Sequence, residues 1–101
     1  MDKEEELFNQ IGEGLSDAEK GQLFGKPCFK VNGKAYVCLF QNEMVFKLDG
    51  SAHDTAMSLD GSQLFDPSGK GRPMKQWVQV PFEYNELWPK FAKRSMEFVL
   101  G

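Results

Sequence analysis

The sequence predicts an α+β fold in which an antiparallel sheet of about five strands carries helices mainly on one face. Three observations lead there. An apolar, β-rich run from Gly25 to Leu48 is cut by two tight-turn signals. A second alternating run, Met74 to Val80, ends at Pro81. Helical periodicity is confined to the two ends of the chain and to a short stretch between these runs.

The first turn is the clearest local signal. Asn32-Gly33 separates two strand-like runs, and both central residues of a type I′ turn need the positive φ that Asn and Gly tolerate best. With those two residues as the loop, Val31 faces Lys34, Phe29 faces Tyr36 and Cys28 faces Val37. A second turn falls at Gln41 to Glu43. A loop of Gln41-Asn42 or of Asn42-Glu43 gives the same facing, because the two registers differ by an even step.

This register puts Cys28, Lys30, Ala35, Val37, Leu39, Met44, Phe46 and Leu48 on one face, expected to lie under the helices. The other face carries Phe29, Val31, Tyr36, Cys38, Phe40, Val45 and Lys47. Its aromatic residues Phe29, Tyr36 and Phe40 form a candidate interface, since an exposed apolar patch of that kind marks a contact surface. Cover by a later helix or loop is the competing explanation. Cys28 and Cys38 fall on opposite faces here, which leaves no geometry for a disulfide between them.

The 101 residues fit one domain, and the 41% hydrophobic content supports a packed core without staples. The net charge of −3 and pI near 5.1 weigh against a general nucleic-acid binder, whose affinity rests on many basic contacts to phosphate. Residues 1–20 hold seven acids against two lysines, so the rest of the chain carries a small positive net charge. A solvated helix face accounts for the acidic end. The acidic start is unlike a secretory signal, no stretch has the length of a membrane helix, and two unpaired cysteines suit a reducing compartment. A cytoplasmic location without membrane contact is expected.

In chain order, Asp2 is placed to cap a first helix with Glu4, Glu5 and Glu6 in its first turn. Leu7, Ile11 and Leu15 form its apolar stripe, with Phe8 beside them. Gly12 and Gly14 weaken its last turn. Ser16 to Glu19 has the spacing of a second capping box, but Gly21 follows, so a turn or short helical piece is expected before Leu23 and Phe24 lead into the sheet. After the meander, Asp49-Gly50 makes a turn and Ser51 reads as an N-cap for a short helix from about Ala52 to Leu59, with Ala52, Ala56 and Leu59 inward. Gln63 to Asp66 reads as a short strand. The irregular run Asp66 to Pro73 joins it to Met74–Val80 as a hairpin. Pro89 suits the first position of a terminal helix. Trp88, Phe91, Ser95, Phe98 and Val99 line one side of it, with Lys90, Lys93, Arg94 and Glu97 largely opposite.

Few residues converge on chemistry. Two cysteines outside a CxxC and one histidine do not make a structural zinc site. Neither cysteine stands at a helix N-terminus, where its pKa would fall, so both read as buried structural thiols. His53, in the first turn of the short helix, is expected at the surface without an acid, serine or cysteine partner. No catalytic residue, metal site or cofactor is assigned. Ser68 to Arg72 fails as a phosphate loop, because GxxxxGK[ST] is absent and a strand follows. Its glycine N–H groups with Lys70 and Arg72 remain a candidate anion site in the Gly69–Arg72 loop; the simpler reading is a solvated hairpin tip. Lys70, Arg72 and Lys75 beside Trp77 make a small nucleic-acid candidate, with Trp77 as the stacking surface or as core.

Read together, Leu23-Phe24-Gly25, Val31-Asn32-Gly33-Lys34, Phe46-Lys47-Leu48, Phe65-Asp66-Pro67, Gly71-Arg72-Pro73-Met74, Trp77-Val78 and Val80-Pro81 follow an order that resembles the TfoX N-terminal domain family over roughly residues 20 to 100. The resemblance implies an antiparallel sheet with helices on one side, as in YjbR-like and secretion-chaperone-like folds, often dimeric and bacterial. It brings no catalytic residues. It implies a regulatory role connected with competence or transcription, although the helical second domain of TfoX has no counterpart here. The function expected is a small non-enzymatic binding or regulatory module acting on a protein partner or a second copy. The alternatives are a nucleic-acid-associated factor using the 70–77 hairpin and an enzyme or small-anion binder at the Gly69–Arg72 loop.

Overall fold

A computed structural model of the chain describes residues 3–15, 18–23, 25–66, 69, 71 and 73–101. The elements run α1 (Lys3–Glu13), β1 (Glu19–Leu23), β2 (Lys26–Val31), β3 (Lys34–Phe40), β4 (Glu43–Lys47), α2 (Gly50–Met57), β5 (Gln63–Phe65), β6 (Met74–Val80) and α3 (Trp88–Leu100), with a 3-10 turn at Phe82–Tyr84. The strands form one open antiparallel sheet in the order β1-β2-β3-β4-β6-β5. The fold is α+β. The strand beyond the expected five is β1, in the segment read as a turn.

Both turns of the meander take the left-handed conformations their residues suggest. Asn32 and Gly33 have φ of 52° and 76°, and Gln41 and Asn42 have 53° and 64°. The second loop is therefore Gln41-Asn42, with Phe40 opposite Glu43.

Between these turns the register breaks. Val31 pairs with Lys34 and Lys30 with Ala35, but Phe29 pairs with Val37 and Cys28 with Cys38. One extra residue, Tyr36, is taken up in β3. Such a bulge turns every side chain beyond it to the other face. The facing expected for β2 and for Ala35 and Tyr36 is therefore reversed, while that of Val37 to Leu48 holds.

The helix-side core contains Phe29, Val31, Tyr36, Val37, Leu39, Met44, Phe46, Leu48, Val78 and Val80 from the sheet. Onto them pack Phe8 and Ile11 of α1, Ala56 of α2, and Trp88, Phe91, Ala92 and Val99 of α3. A fully buried side chain of this size contributes roughly 1.5–3 kcal/mol relative to exposure. A second cluster on the helix-free face holds Cys28, Cys38, Val45, Phe65 and Trp77, with Leu23, Ala35, Phe40 and Met74 packed against it. Among the described residues no helix covers this face. Long side chains do so instead: the ammonium of Lys26 stands 5.4 Å from the Phe40 ring centre, and that of Lys47 stands 5.9 Å from Trp77.

Helix α1 keeps Gly12 inside it, facing the sheet. Helix α2 starts two residues before Ala52, with Asp49 rather than Ser51 at its N-cap and no side-chain cap bond. The expected capping roles of Asp2 and Ser16 lie outside the described residues. No helix among the described residues is long and apolar enough to cross a membrane.

Candidate functional site

The three aromatics proposed as an interface are separated by the bulge. Phe29 and Tyr36 are 2% and 0% exposed, beneath the helices. Phe29 packs on Phe8 with ring centres 5.1 Å apart. Only Phe40 lies on the helix-free face, edge-on to Phe65 at 5.2 Å. The free chain therefore does not present Phe29 and Tyr36 as a surface. The alternation in Tyr36-Val37-Cys38 gives no hint of this, because both faces of β3 are apolar.

Two glycine N–H groups expected to cradle an anion already have a partner within the chain. The Asp66 carboxylate accepts the backbone N–H of Gly69 at 3.1 Å and of Gly71 at 2.9 Å. The two glycine N–H groups described in the loop, those of Gly69 and Gly71, are engaged by the chain's own carboxylate. Lys70 and Arg72 lie outside the described residues. Lys75 is exposed, and Trp77, at 6% exposure, is in the helix-free cluster under Lys47. Trp77 is core, so it offers no open ring for a base to stack on.

His53 is half-buried, and its Nε2 donates to the Lys75 backbone carbonyl at 2.8 Å, which ties α2 to β6. Cys28 and Cys38 are free thiols, both fully buried. They share the helix-free face, contrary to the facing expected from sequence. Burial pushes the Cys28 thiol up, opposed by the nearby Lys30 ammonium and a Gly21 backbone hydrogen bond. Cys38 is pushed up to about 12, mainly by burial and secondarily by Cys28. Among the described residues no cluster of three or more His, Cys, Asp or Glu has metal-site geometry.

A hollow of about 320 Å³ lies beside the glycine-rich loop, bordered by Phe40, Asp66, Gly69 and Gln79, and further concavity lies between α2 and α3. The apolar stripe Trp88, Phe91, Ala92, Ser95 and Val99 faces the core and turns Lys90 and Arg94 outward, one helical turn apart. On α2, Ser51 and Thr55 are likewise exposed and one turn apart. The small Ala52 side chain leaves room between the helices. A groove of about 220 Å³ results, lined by Ser51, Ala52, Thr55, Lys90, Phe91 and Arg94. Phe91, 2% exposed, forms its apolar wall. Ser51, Ala52 and Arg94 also border an adjoining hollow of about 380 Å³, whose further lining includes Asp49 and Glu97.

The sequence puts Lys90 and Arg94 on the outer side of the terminal helix without marking them as a site. Their spacing and that of Ser51 and Thr55 are visible in the sequence. The juxtaposition of α2 and α3 depends on α3 crossing β3 and β4 while α2 rests on β6, and no local pattern reports it.

Comparison of the chain with protein-family models, with curated proteins and with solved structures finds no match.

Proposed function

We propose that this protein is a small, non-enzymatic binding or regulatory module of the TfoX N-terminal type, and that it acts through protein contacts made at the α2–α3 groove. The occupant is an acidic segment of a partner protein. The observation that supports this is the charge of the groove: two cations, two hydroxyls and an apolar wall, with no acid in its 220 Å³ part. A carboxylate entering between Lys90 and Arg94 gains charge-assisted hydrogen bonds, and its aliphatic stem rests on Phe91. In the adjoining hollow Asp49 and Glu97 disfavour a second acid and favour a neutral or basic continuation. Specificity then comes from charge order along the bound segment.

The test is a two-dimensional amide spectrum of labelled protein titrated with a glutamate-rich peptide and with a lysine-rich peptide. Shifts confined to residues 50–55 and 90–98 with the acidic peptide alone are expected. Shifts elsewhere, or equal shifts with duplex DNA, would overturn the assignment to an acidic protein segment.

A further inference from the structure

We propose that Cys28 and Cys38 form a thiol–disulfide exchange site for low-molecular-weight disulfides, with Cys28 the entering thiol and Cys38 the resolving one. The bulge in β3 brings the two residues directly opposite each other on adjacent antiparallel strands. Opposed residues of such a pair have Cα atoms about 4.5 or 5.5 Å apart and side chains on the same face. Both separations lie within the range of about 4.4–6.8 Å that a disulfide spans. Their shared cluster on the helix-free face confirms the common facing.

The two thiols differ in their cover. Cys28 lies between β3 and the edge strand β1, and its β1 partner is Gly21, which has no side chain. The Lys30 chain fills that gap: a Cβ on Gly21 would meet Lys30 Cε at 3.2 Å, Cδ at 3.5 Å and Nζ at 3.7 Å. On the side of the edge strand β1, the flexible chain of Lys30, from β2, therefore covers Cys28 in place of a Gly21 side chain, and its ammonium favours the thiolate when the thiol ionises. Cys38 lies one strand deeper, between β2 and β4, opposite Val45.

The exchange balances without another oxidant. When the Lys30 chain swings out, Cys28 loses its proton to solvent and attacks one sulfur of the disulfide RSSR. A mixed disulfide forms and RS⁻ leaves, to be protonated. Cys38 then gives up its proton and attacks Cys28 Sγ, expelling the second RS⁻, which is protonated in turn. The protein dithiol is oxidised to one disulfide, and RSSR is reduced to two thiols. The product ties β2 to β3 across the bulge.

The test uses oxidised glutathione as the probe, with folded wild-type protein, Cys28→Ser and Cys38→Ser, read by intact mass and non-reducing peptide mapping. Wild type is expected to lose the mass of two hydrogens and to give a Cys28–Cys38 cross-link. Cys38→Ser is expected to accumulate the glutathione adduct at Cys28, and Cys28→Ser to stay unmodified over the same time. The wild-type rate is compared with global unfolding measured in urea. Thiols that stay reduced, adducts that form equally fast in both variants, or a reaction no faster than global unfolding would each overturn the proposal. Lys30→Met, which keeps the stem and removes the charge, is expected to slow the first step; an unchanged rate would remove the lysine's electrostatic part in it.

Discussion

The ring of Phe29 lies directly over Gly12. A Cβ built on Gly12 would stand 2.1 Å from Phe29 Cε2 and 2.3 Å from Cδ2, far inside contact distance. Glycine at this point of α1 lets the helix approach β2 closely enough for Phe8 and Phe29 to pack together. Gly12→Ala raises helix propensity by roughly 1 kcal/mol. It also forces a buried ring out of place, and overpacking of this kind costs about 1–3 kcal/mol. The overlap is severe, so the packing cost wins. A lower urea midpoint than wild type is expected, and an equal or higher one would show that α1 moves away at little cost.

Tyr36 carries a buried hydroxyl with no hydrogen-bond partner among the described residues, at the bulge beneath the helices. Leaving such a group unpaired costs on the order of 1–3 kcal/mol. Tyr36→Phe should therefore stabilise the fold by about 1 kcal/mol, seen as a higher urea midpoint near pH 7. An unchanged or lower midpoint would mean the hydroxyl has a role in the native state.

The same residue sets an alkaline limit. Burial pushes Tyr36 from 10.0 up to about 12, and Cys38 from 9.0 up to about 12. Between these values the unfolded chain has released protons that the folded chain still holds, so stability falls as pH rises. It is fully present below pH 9 and declines towards pH 12. Urea midpoints across this window should drop in wild type and drop less in Tyr36→Phe. A flat profile would contradict the burial of both groups.

Gln79, 2% exposed, donates from Nε2 to Glu43 Oε1 at 2.7 Å and so joins β6 to β4 on the helix-free face. Bonds to a charged acceptor contribute roughly 1.5–3 kcal/mol. Gln79→Leu removes the donor and leaves the half-buried carboxylate short of a partner. A loss of about 2 kcal/mol in urea denaturation is expected; no loss would show that the pair is replaced by water.

Much of the fold is legible where one residue type has one physical use. Asn32-Gly33 specifies a turn, Pro81 ends a strand, and the Leu7, Ile11, Leu15 stripe with Phe8 beside it marks the inner side of α1, where Phe8 and Ile11 are buried and Leu7 and Leu15 partly so. The bulge at Tyr36 is not legible, because β3 is apolar on both faces and a one-residue slip costs no obvious burial. Its consequences reach the site residues: Phe29 and Tyr36 move into the core, and Cys28 and Cys38 come together. Strand β1 is missed because Glu19-Lys20-Gly21-Gln22-Leu23 has little β-propensity and owes its conformation to pairing with β2. In the loop, a short-range carboxylate, Asp66, takes the N–H groups that glycine-rich composition suggested were free for an anion. The α2–α3 groove depends on tertiary juxtaposition alone.

The proposed function rests on that groove. Its most direct test is fluorescence anisotropy of a labelled glutamate-rich peptide with wild type and with the Lys90→Met, Arg94→Met double variant, at low and at physiological salt. Exposed charge pairs contribute about 0.2–1 kcal/mol each, so affinity should fall about two- to thirtyfold in the double variant. Wild-type binding should also weaken as salt rises. Equal affinity of wild type and variant, or no binding even at low salt, would contradict a groove built for an acidic partner.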